Sequence, residues 1–424
     1  MDKIRLFNSY LKGDISVCSS KSVAHRAIIL GALSGRKIKI KDVDSSDDIL
    51  ATINALKAAN VKIEYKNKEV DIDGADILKN STCKVNANES GSTLRFLIPV
   101  FVALNNETEF WGEGRLPKRP LNDYFELFNS QGIAFERKED YLPLKVKGSF
   151  KNRIFEIKGN TSSQFITGIM LAAVVMNEEI TIKITTALES KPYVDITCGV
   201  LRDFGHAVTF ENNIIKVKKG ECKIDEYTVE KDWSQAAFFL TGGAVSGNVS
   251  VKNMRMDSLQ GDKKIVDILR EFGAEIVTED DVIKVEKSNL RGIKIDASEI
   301  PDLVPVLSVA GAVAEGETLI YNAGRLKLKE SDRLYSVSKM LENLGIEVEM
   351  GEDYLKIKGT GNFSGGEIDS FNDHRIVMSA AIASLNSKKE VVINGYNAIR
   401  KSYPEFFSDY FKMGGKGEYI KWVV

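Results

Sequence analysis

Four cysteines and three histidines are all that this chain of 424 residues carries. No two of Cys18, Cys83, Cys198 and Cys222 form a CxxC pair, so neither a disulfide framework nor a zinc knuckle is expected. His25, His206 and His374 are too few for a multi-histidine metal site. An excess of either charge is missing as well: 58 Lys and Arg stand against 60 Asp and Glu, a net of -2. That balance excludes a protein that coats nucleic acid or an anionic membrane through bulk charge, but leaves room for a small basic pocket. No apolar run reaches membrane-spanning length, and the opening MDKIRLFNSYLKGDIS has no apolar core of a secretory signal. With 43% hydrophobic and 28% charged residues, the expectation is a cytoplasmic, metal-free globular protein of two or three domains.

What is present is a repeat. A helix of small apolar residues, a polar turn and a short alternating strand recur six times. The copies are HRAIILGALSGRKIKI, LRFLIPVFVALNNETEF, FITGIMLAAVVMNEEITI, AAFFLTGGAVSGNVSV, VPVLSVAGAVAEGETLI and IVMSAAIASLNSKKEVVI. Their strands end at Ile40, Phe110, Ile182, Val251, Ile320 and Ile393, which are 69 to 73 residues apart. Between copies lies an amphipathic helix, usually a glycine, then a β-hairpin. In KKIVDILREFGAEIVTEDDVIKVEKS, residues Ile265, Ile268, Leu269 and Phe272 share one helical face, and Gly273 suits a left-handed C-cap. The last hairpin, near Gly414, is degenerate. The chain therefore reads as six βαβαββ-like units in two bodies of three, an α/β fold. The apolar helices belong inside each body and the amphipathic ones nearer its surface.

Short polar clusters lead into these helices: Ser19-Ser20-Lys21-Ser22, Glu89 to Arg95, Ser162-Ser163-Gln164, Asp232 to Gln235, Pro301-Asp302 and Asn372 to Arg375. The amphipathic helices have their own leaders, among them Arg115 to Pro120, Ser190 to Tyr193, Leu259 to Asp262, Lys329 to Arg333 and Arg400 to Pro404. Ser, Asp and Pro at helix starts are explained by capping. Capping does not explain Lys21, Arg26, Arg95, Arg119, Lys191, Lys329, Arg333, Arg375 and Lys401, because a cation in a first turn opposes the helix dipole. A bound anion reverses that sign, since orphan N–H groups, dipole and side chains then act on it together. Guanidinium favours carboxylate and phosphate, and serine hydroxyls with Gln164 add neutral donors. Asp302 and Glu330 sit among the cations as salt-bridge partners or as general acid and base. The residues point to a cleft for one or more small phosphorylated acids.

The segments SSKSVAHR, ESGSTLR, PKRP, SSQF, SKPYVDIT, SLQGD, IPD, KESDR, NDHR and KSYP, in this order from Ser19 to Pro404, resemble the 5-enolpyruvylshikimate-3-phosphate synthase family. The resemblance implies an inside-out α/β barrel fold, two domains of three βαβαββ units with the active site in the cleft between them. The domains would be 1–18 plus 228–424 and 19–227, each without activity alone. It implies transfer of the enolpyruvyl group of phosphoenolpyruvate to the 5-hydroxyl of shikimate 3-phosphate, a step toward chorismate and the aromatic amino acids, with no cofactor and no metal. Ser22 and Arg26 would meet the shikimate carboxylate, Ser162, Ser163, Ser190 and Lys329 its phosphate, and Gln164 and Tyr193 its ring. Lys21, Gly91, Arg119, Arg333, Arg375 and Lys401 would hold phosphoenolpyruvate, with Gln164 also within reach. Asp302 would take the hydroxyl proton, Glu330 would protonate the methylene carbon, and Lys21 would serve as a further acid or base.

Two positions depart from the family pattern. Glu89 stands where an Asn is usual, with Asn88 one place earlier, and Arg325 occupies the slot of an Asn upstream of Lys329, since Asn322 is too distant. The nearest rival is the sister enzyme acting on UDP-N-acetylglucosamine, whose mobile loop carries a cysteine that WGEGRLPKRPLND lacks. The other is a non-catalytic anion-binding protein of the same fold. The expected partners are small molecules only, with no nucleic acid or membrane, and the expected state is a monomer.

Overall fold

The computed structural model describes residues 2–77, 79, 81–176 and 178–420. Met1 and residues 421–424 of the expected domain spans, and Asn177 in the third repeat, lie outside the described residues. Backbone contacts divide the chain into two compact units, Ser19–Glu230 and Met1–Cys18 with Lys231–Val424.

The repeat is plain in the hydrogen bonding. Six four-stranded sheets occur among the described residues, and all share one pattern. Strand Ile154–Ile157 pairs in parallel with Ile180–Ile184, which pairs antiparallel with Ile214–Lys218, itself the hairpin partner of Ala207–Glu211. A parallel pair needs a long crossover, and the apolar helix Ser163–Ala172 supplies it. The short strand Glu226–Thr228 pairs in parallel with Lys37–Lys41, so the contiguous unit closes on its own first sheet.

The other unit takes in two N-terminal strands. Leu11–Ile15 pairs in parallel with Gly247–Val251, and Lys3–Phe7 lies between Val391–Asn394 and Lys416–Ile420. The degenerate last hairpin is thereby explained: its second strand comes from the opposite end of the chain.

The six apolar helices are Lys21–Leu33, Gly91–Ala103, Ser163–Ala172, Trp233–Ser246, Val304–Val313 and His374–Ser384. They fill the two cores on nearly all faces, so their uniform apolarity reflects burial on every side. Close approach explains one glycine in particular. A Cβ at Gly168 would run into the Arg95 carbonyl oxygen of the neighbouring helix. The intervening helices bury one face; Arg333–Asn343 buries Leu334, Val337, Met340 and Leu341 and leaves Lys339 and Glu342 outward. Gly132 and Gly345, at φ 68° and 84°, end two of these helices in the left-handed region.

Candidate active site

Capping accounts for many of the polar leaders. Ser20, Ser90, Ser162, Asp232 and Asp373 each accept a backbone N–H at the start of an apolar helix. Asp302 does not, because Leu303 occupies the cap position with no side-chain bond. None of the six apolar helices carries an acid in its first turn, so apart from the Asp232 and Asp373 caps no carboxylate of the helix itself answers the dipole there.

In the unit Ser19–Glu230, side chains tie the helix starts together. Lys21 Nζ lies 2.6 Å from Asp48 Oδ2. Asp48 in turn is fixed through its carbonyl, which accepts from Thr93 Oγ1 at 3.3 Å. Arg26 is 2% exposed and donates to Thr197 Oγ1 at 2.8 Å, Ser22 O at 2.5 Å, Tyr193 O at 3.0 Å and Thr167 Oγ1 at 3.3 Å. It also lies over the Phe96 ring, and burial lowers its pKa to about 9. Four of its five N–H groups therefore serve the fold, leaving one on Nη1 for a ligand. Arg95 Nη1 donates to Gln164 Oε1 at 2.7 Å while Gln164 Nε2 donates to Ser92 Oγ at 3.0 Å, which fixes the Gln164 amide.

Gly91 and Arg119 meet. A Cβ on Gly91 would stand 2.5 Å from Arg119 Nη1, so only glycine lets the guanidinium rest on that helix start. Glu89 lies against Gly114, where an added Cβ would strike its carboxylate, and the Asn88 carbonyl accepts from Glu113 N at 2.6 Å. Ser163 and Ser190 are buried at their helix starts, and Ser190 has a left-handed φ of 55°. Lys191 is not gathered in: half-exposed, it pairs with Asp195 at 2.7 Å and covers Phe210.

In the other unit, one guanidinium joins three acids. Arg333 is 1% exposed, with Nη1 2.7 Å from Asp302, Nη2 2.6 Å from Glu330 and Nε 2.8 Å from Asp373. Burial alone would lower its pKa; Asp373, Glu330 and Asp302 together hold it above the ordinary value. Asp373 is fully buried, yet Arg333 keeps its carboxyl below the usual range against the cost of burial. Asp302 also receives Arg375 at 3.1 Å and Lys329 at 3.3 Å, and its carbonyl accepts from Arg375 Nη1 at 2.9 Å. Burial lowers the Lys329 pKa, with Asp302 opposing. Lys401 Nζ donates to Asn372 O at 2.7 Å, and Arg325 Nη2 to Ser298 O at 3.4 Å.

Residues 7–410 match the model of a family described as EPSP synthase (3-phosphoshikimate 1-carboxyvinyltransferase). The chain belongs to the EPSP synthase family. It is 41% identical to a protein of Clostridioides difficile and 44% identical to one of Clostridium novyi, each alignment covering 98% of both chains. Both relatives are named 3-phosphoshikimate 1-carboxyvinyltransferase. Among solved structures, EPSP synthase from Acinetobacter baumannii superposes with a TM-score of 0.83 at 26% identity, over 99% of this chain and 100% of that one. The fold is accordingly the mixed α/β, two-domain EPSP synthase fold. Among the described residues, no helix is long and apolar enough to cross a membrane.

Sequence patterns missed four partners within this EPSP synthase fold. Asp48 holds Lys21, Asp373 holds Arg333, and Thr197 with Thr167 holds Arg26. Asp373 was visible as part of the Asn372–Arg375 leader, but an acid before an apolar helix reads first as a cap. It is in fact both, since Oδ1 caps Arg375 N at 2.9 Å while Oδ2 accepts from Arg333.

Proposed function

We propose that this chain transfers the enolpyruvyl group of phosphoenolpyruvate to the 5-hydroxyl of shikimate 3-phosphate, releasing phosphate, with Asp302 and Glu330 as its acid/base pair. The observation that carries the assignment is the Arg333 hub, which holds those two carboxylates on adjacent nitrogens of one rigid, buried fork. Addition needs the hydroxyl proton removed as oxygen attacks, while the methylene carbon receives a proton; two separately held carboxyls suit those tasks. Glu330, once deprotonated, takes a proton back from the new methyl group as the C–O bond to phosphate breaks.

Fixed cations support the rest. Arg375 and Lys329 already neutralise Asp302, so an incoming phosphate or carboxylate would compete for them and loosen the acid for proton transfer. Arg333, Arg375, Lys401 and Lys21 are assigned to phosphoenolpyruvate, together with the Gly91–Arg119 pair and Gln164. Ser22, Arg26, Ser162, Ser163, Gln164, Ser190, Tyr193, Lys21, Asp302 and Lys329 are assigned to shikimate 3-phosphate. The reading is of a cytoplasmic, monomeric enzyme that binds no nucleic acid, supported by the near-zero net charge of -2; sizing chromatography tests the monomer.

A phosphate-release assay tests the reaction. Phosphate should appear with shikimate 3-phosphate and phosphoenolpyruvate, and none when UDP-N-acetylglucosamine replaces the acceptor. Turnover only with the latter would favour the sister enzyme, and turnover with neither would overturn the catalytic reading.

Arg119→Ala should raise KM for phosphoenolpyruvate about tenfold to a hundredfold, the range expected for one charged hydrogen bond. KM for shikimate 3-phosphate should hardly move. Gly91→Ala, which pushes a methyl group toward the same guanidinium, should act in the same direction. Initial-rate measurements with each substrate varied would show this, and an unchanged KM in Arg119→Ala removes the residue from the site.

A further inference from the structure

His25, Thr52 and Thr93 have no part in the reaction as assigned, yet each is 0% exposed and they bond in single file inside the unit Ser19–Glu230. His25 Nδ1 lies 2.7 Å from Thr52 Oγ1, which lies 2.7 Å from Thr93 Oγ1. Thr93 Oγ1 in turn donates to Ser90 Oγ at 2.8 Å and to the Asp48 carbonyl at 3.3 Å. The file crosses three helices, Lys21–Leu33, Asp47–Lys57 and Gly91–Ala103. It ends at two places on which the candidate site depends. Asp48 pairs with Lys21 at 2.6 Å. Ser90 accepts from Thr93 N at 3.2 Å as the cap before Gly91, where Arg119 rests.

Counting hydrogens gives the file a direction. A hydroxyl has one hydrogen to donate, and a carbonyl can only accept. The Thr93 hydrogen is taken by Ser90 and Asp48, so Thr52 must donate to Thr93 and His25 must donate to Thr52 from Nδ1. The other ring nitrogen agrees with this, because Nε2 is buried with no hydrogen-bond partner among the described residues. The ring stands edge-on to Phe96, 6.2 Å between centroids. Burial, and after it the charges of Lys21 and Arg26, hold the His25 pKa well below its ordinary value, so the neutral ring has a single proton to place. His206 is arranged the other way round: its Nδ1 accepts from Gly220 N at 3.1 Å, which puts its proton on Nε2.

Resting on the reaction assigned above, we propose that Thr93 is a positioning residue for phosphoenolpyruvate, held in register by Thr52 and His25. It acts through two neighbours. Its bond to the Asp48 carbonyl fixes the helical turn that presents the partner of Lys21. Its bond to Ser90 fixes the helix start on which the Arg119 guanidinium lies. Ser162, Ser163 and Ser190, assigned to the phosphate of shikimate 3-phosphate, take no part in these bonds.

The experiment measures KM for each substrate in Thr93→Val, which keeps the shape of the side chain and removes its hydroxyl. KM for phosphoenolpyruvate should rise about tenfold, the upper range for one neutral hydrogen bond. KM for shikimate 3-phosphate, which shares only Lys21 with this group, should change by less than about threefold. Thr93→Ser restores the hydroxyl without the methyl group and should bring KM for phosphoenolpyruvate back to within about threefold of native. A native KM in Thr93→Val, an equal rise for both substrates, or a Thr93→Ser enzyme as impaired as Thr93→Val overturns the proposal. The reaction assignment then stands, because the native enzyme still turns over; it fails separately if the native enzyme does not. Nitrogen-15 NMR of labelled histidine tests the file in the native protein, whether or not Thr93→Val folds. The His25 signals are assigned by the loss of the other two rings in His206→Gln and His374→Gln. His25 should carry its proton on Nδ1 and His206 on Nε2. A His25 proton on Nε2 would turn the file round, leave Thr93 no hydrogen for Asp48, and overturn the proposal whatever the activity.

Discussion

Glu330→Gln and Asp302→Asn should each lower kcat by about a thousandfold, within the range of well-placed acid/base groups. Both substitutions keep a carbonyl oxygen where Arg333 now donates, at 2.6 Å to Glu330 and 2.7 Å to Asp302. The shape of the hub is therefore retained while the ability to carry a proton is lost. KM for both substrates should stay within a few-fold of native, which separates a lost proton transfer from lost binding. Rapid-quench turnover with both substrates measures this. A variant whose kcat stays within about threefold of native excludes its residue from proton transfer.

Arg333→Met should cost about 3–5 kcal/mol of stability, because it leaves the fully buried Asp373 without its cation. For a body of this size that corresponds to a fall in melting temperature of about 6 to 20 °C. Arg333→Lys keeps the charge but not the planar fork, and one ammonium cannot face Asp302, Glu330 and Asp373 in the geometry of the guanidinium. It should therefore melt closer to native and still turn over slowly, since two acids lose their common orientation. A scanning melt and a rate measurement on the same preparations separate the two effects. A native melting temperature in Arg333→Met would show that Asp373 finds its compensation elsewhere.

The residues differ in how openly the sequence declares them. The six inner helices are legible because Val304–Val313 and its counterparts are apolar on every face, a pattern that recurs at a fixed spacing. The last hairpin was not legible as one, because its partner strand Lys3–Phe7 is some four hundred positions away and local pattern has no access to that distance. The cations at helix starts were legible because they oppose a known dipole. Of their acidic partners, Asp302 and Glu330 were legible and two others were not. Asp48 and Asp373 both stand at or near the start of a helical segment, where an acid is ordinary, and only the fold shows that they face Lys21 and Arg333. Lys191 carried the same signal as Lys21, yet its lysine side chain pairs with Asp195, one turn further along its own helix.

The threading of strands Lys3–Phe7 and Leu11–Ile15 into sheets with Val391–Asn394, Lys416–Ile420 and Gly247–Val251 has a consequence for how the protein is made. Ser19–Glu230 is continuous and can complete its own sheets while translation proceeds. Lys3–Phe7 and Leu11–Ile15 leave the ribosome before that unit and have no partner strands until far later. At ordinary elongation rates Lys3–Phe7 waits on the order of 20 to 80 s for the segment that flanks it on both sides. During that time it lacks both of the strands that give it a place, Val391–Asn394 and Lys416–Ile420.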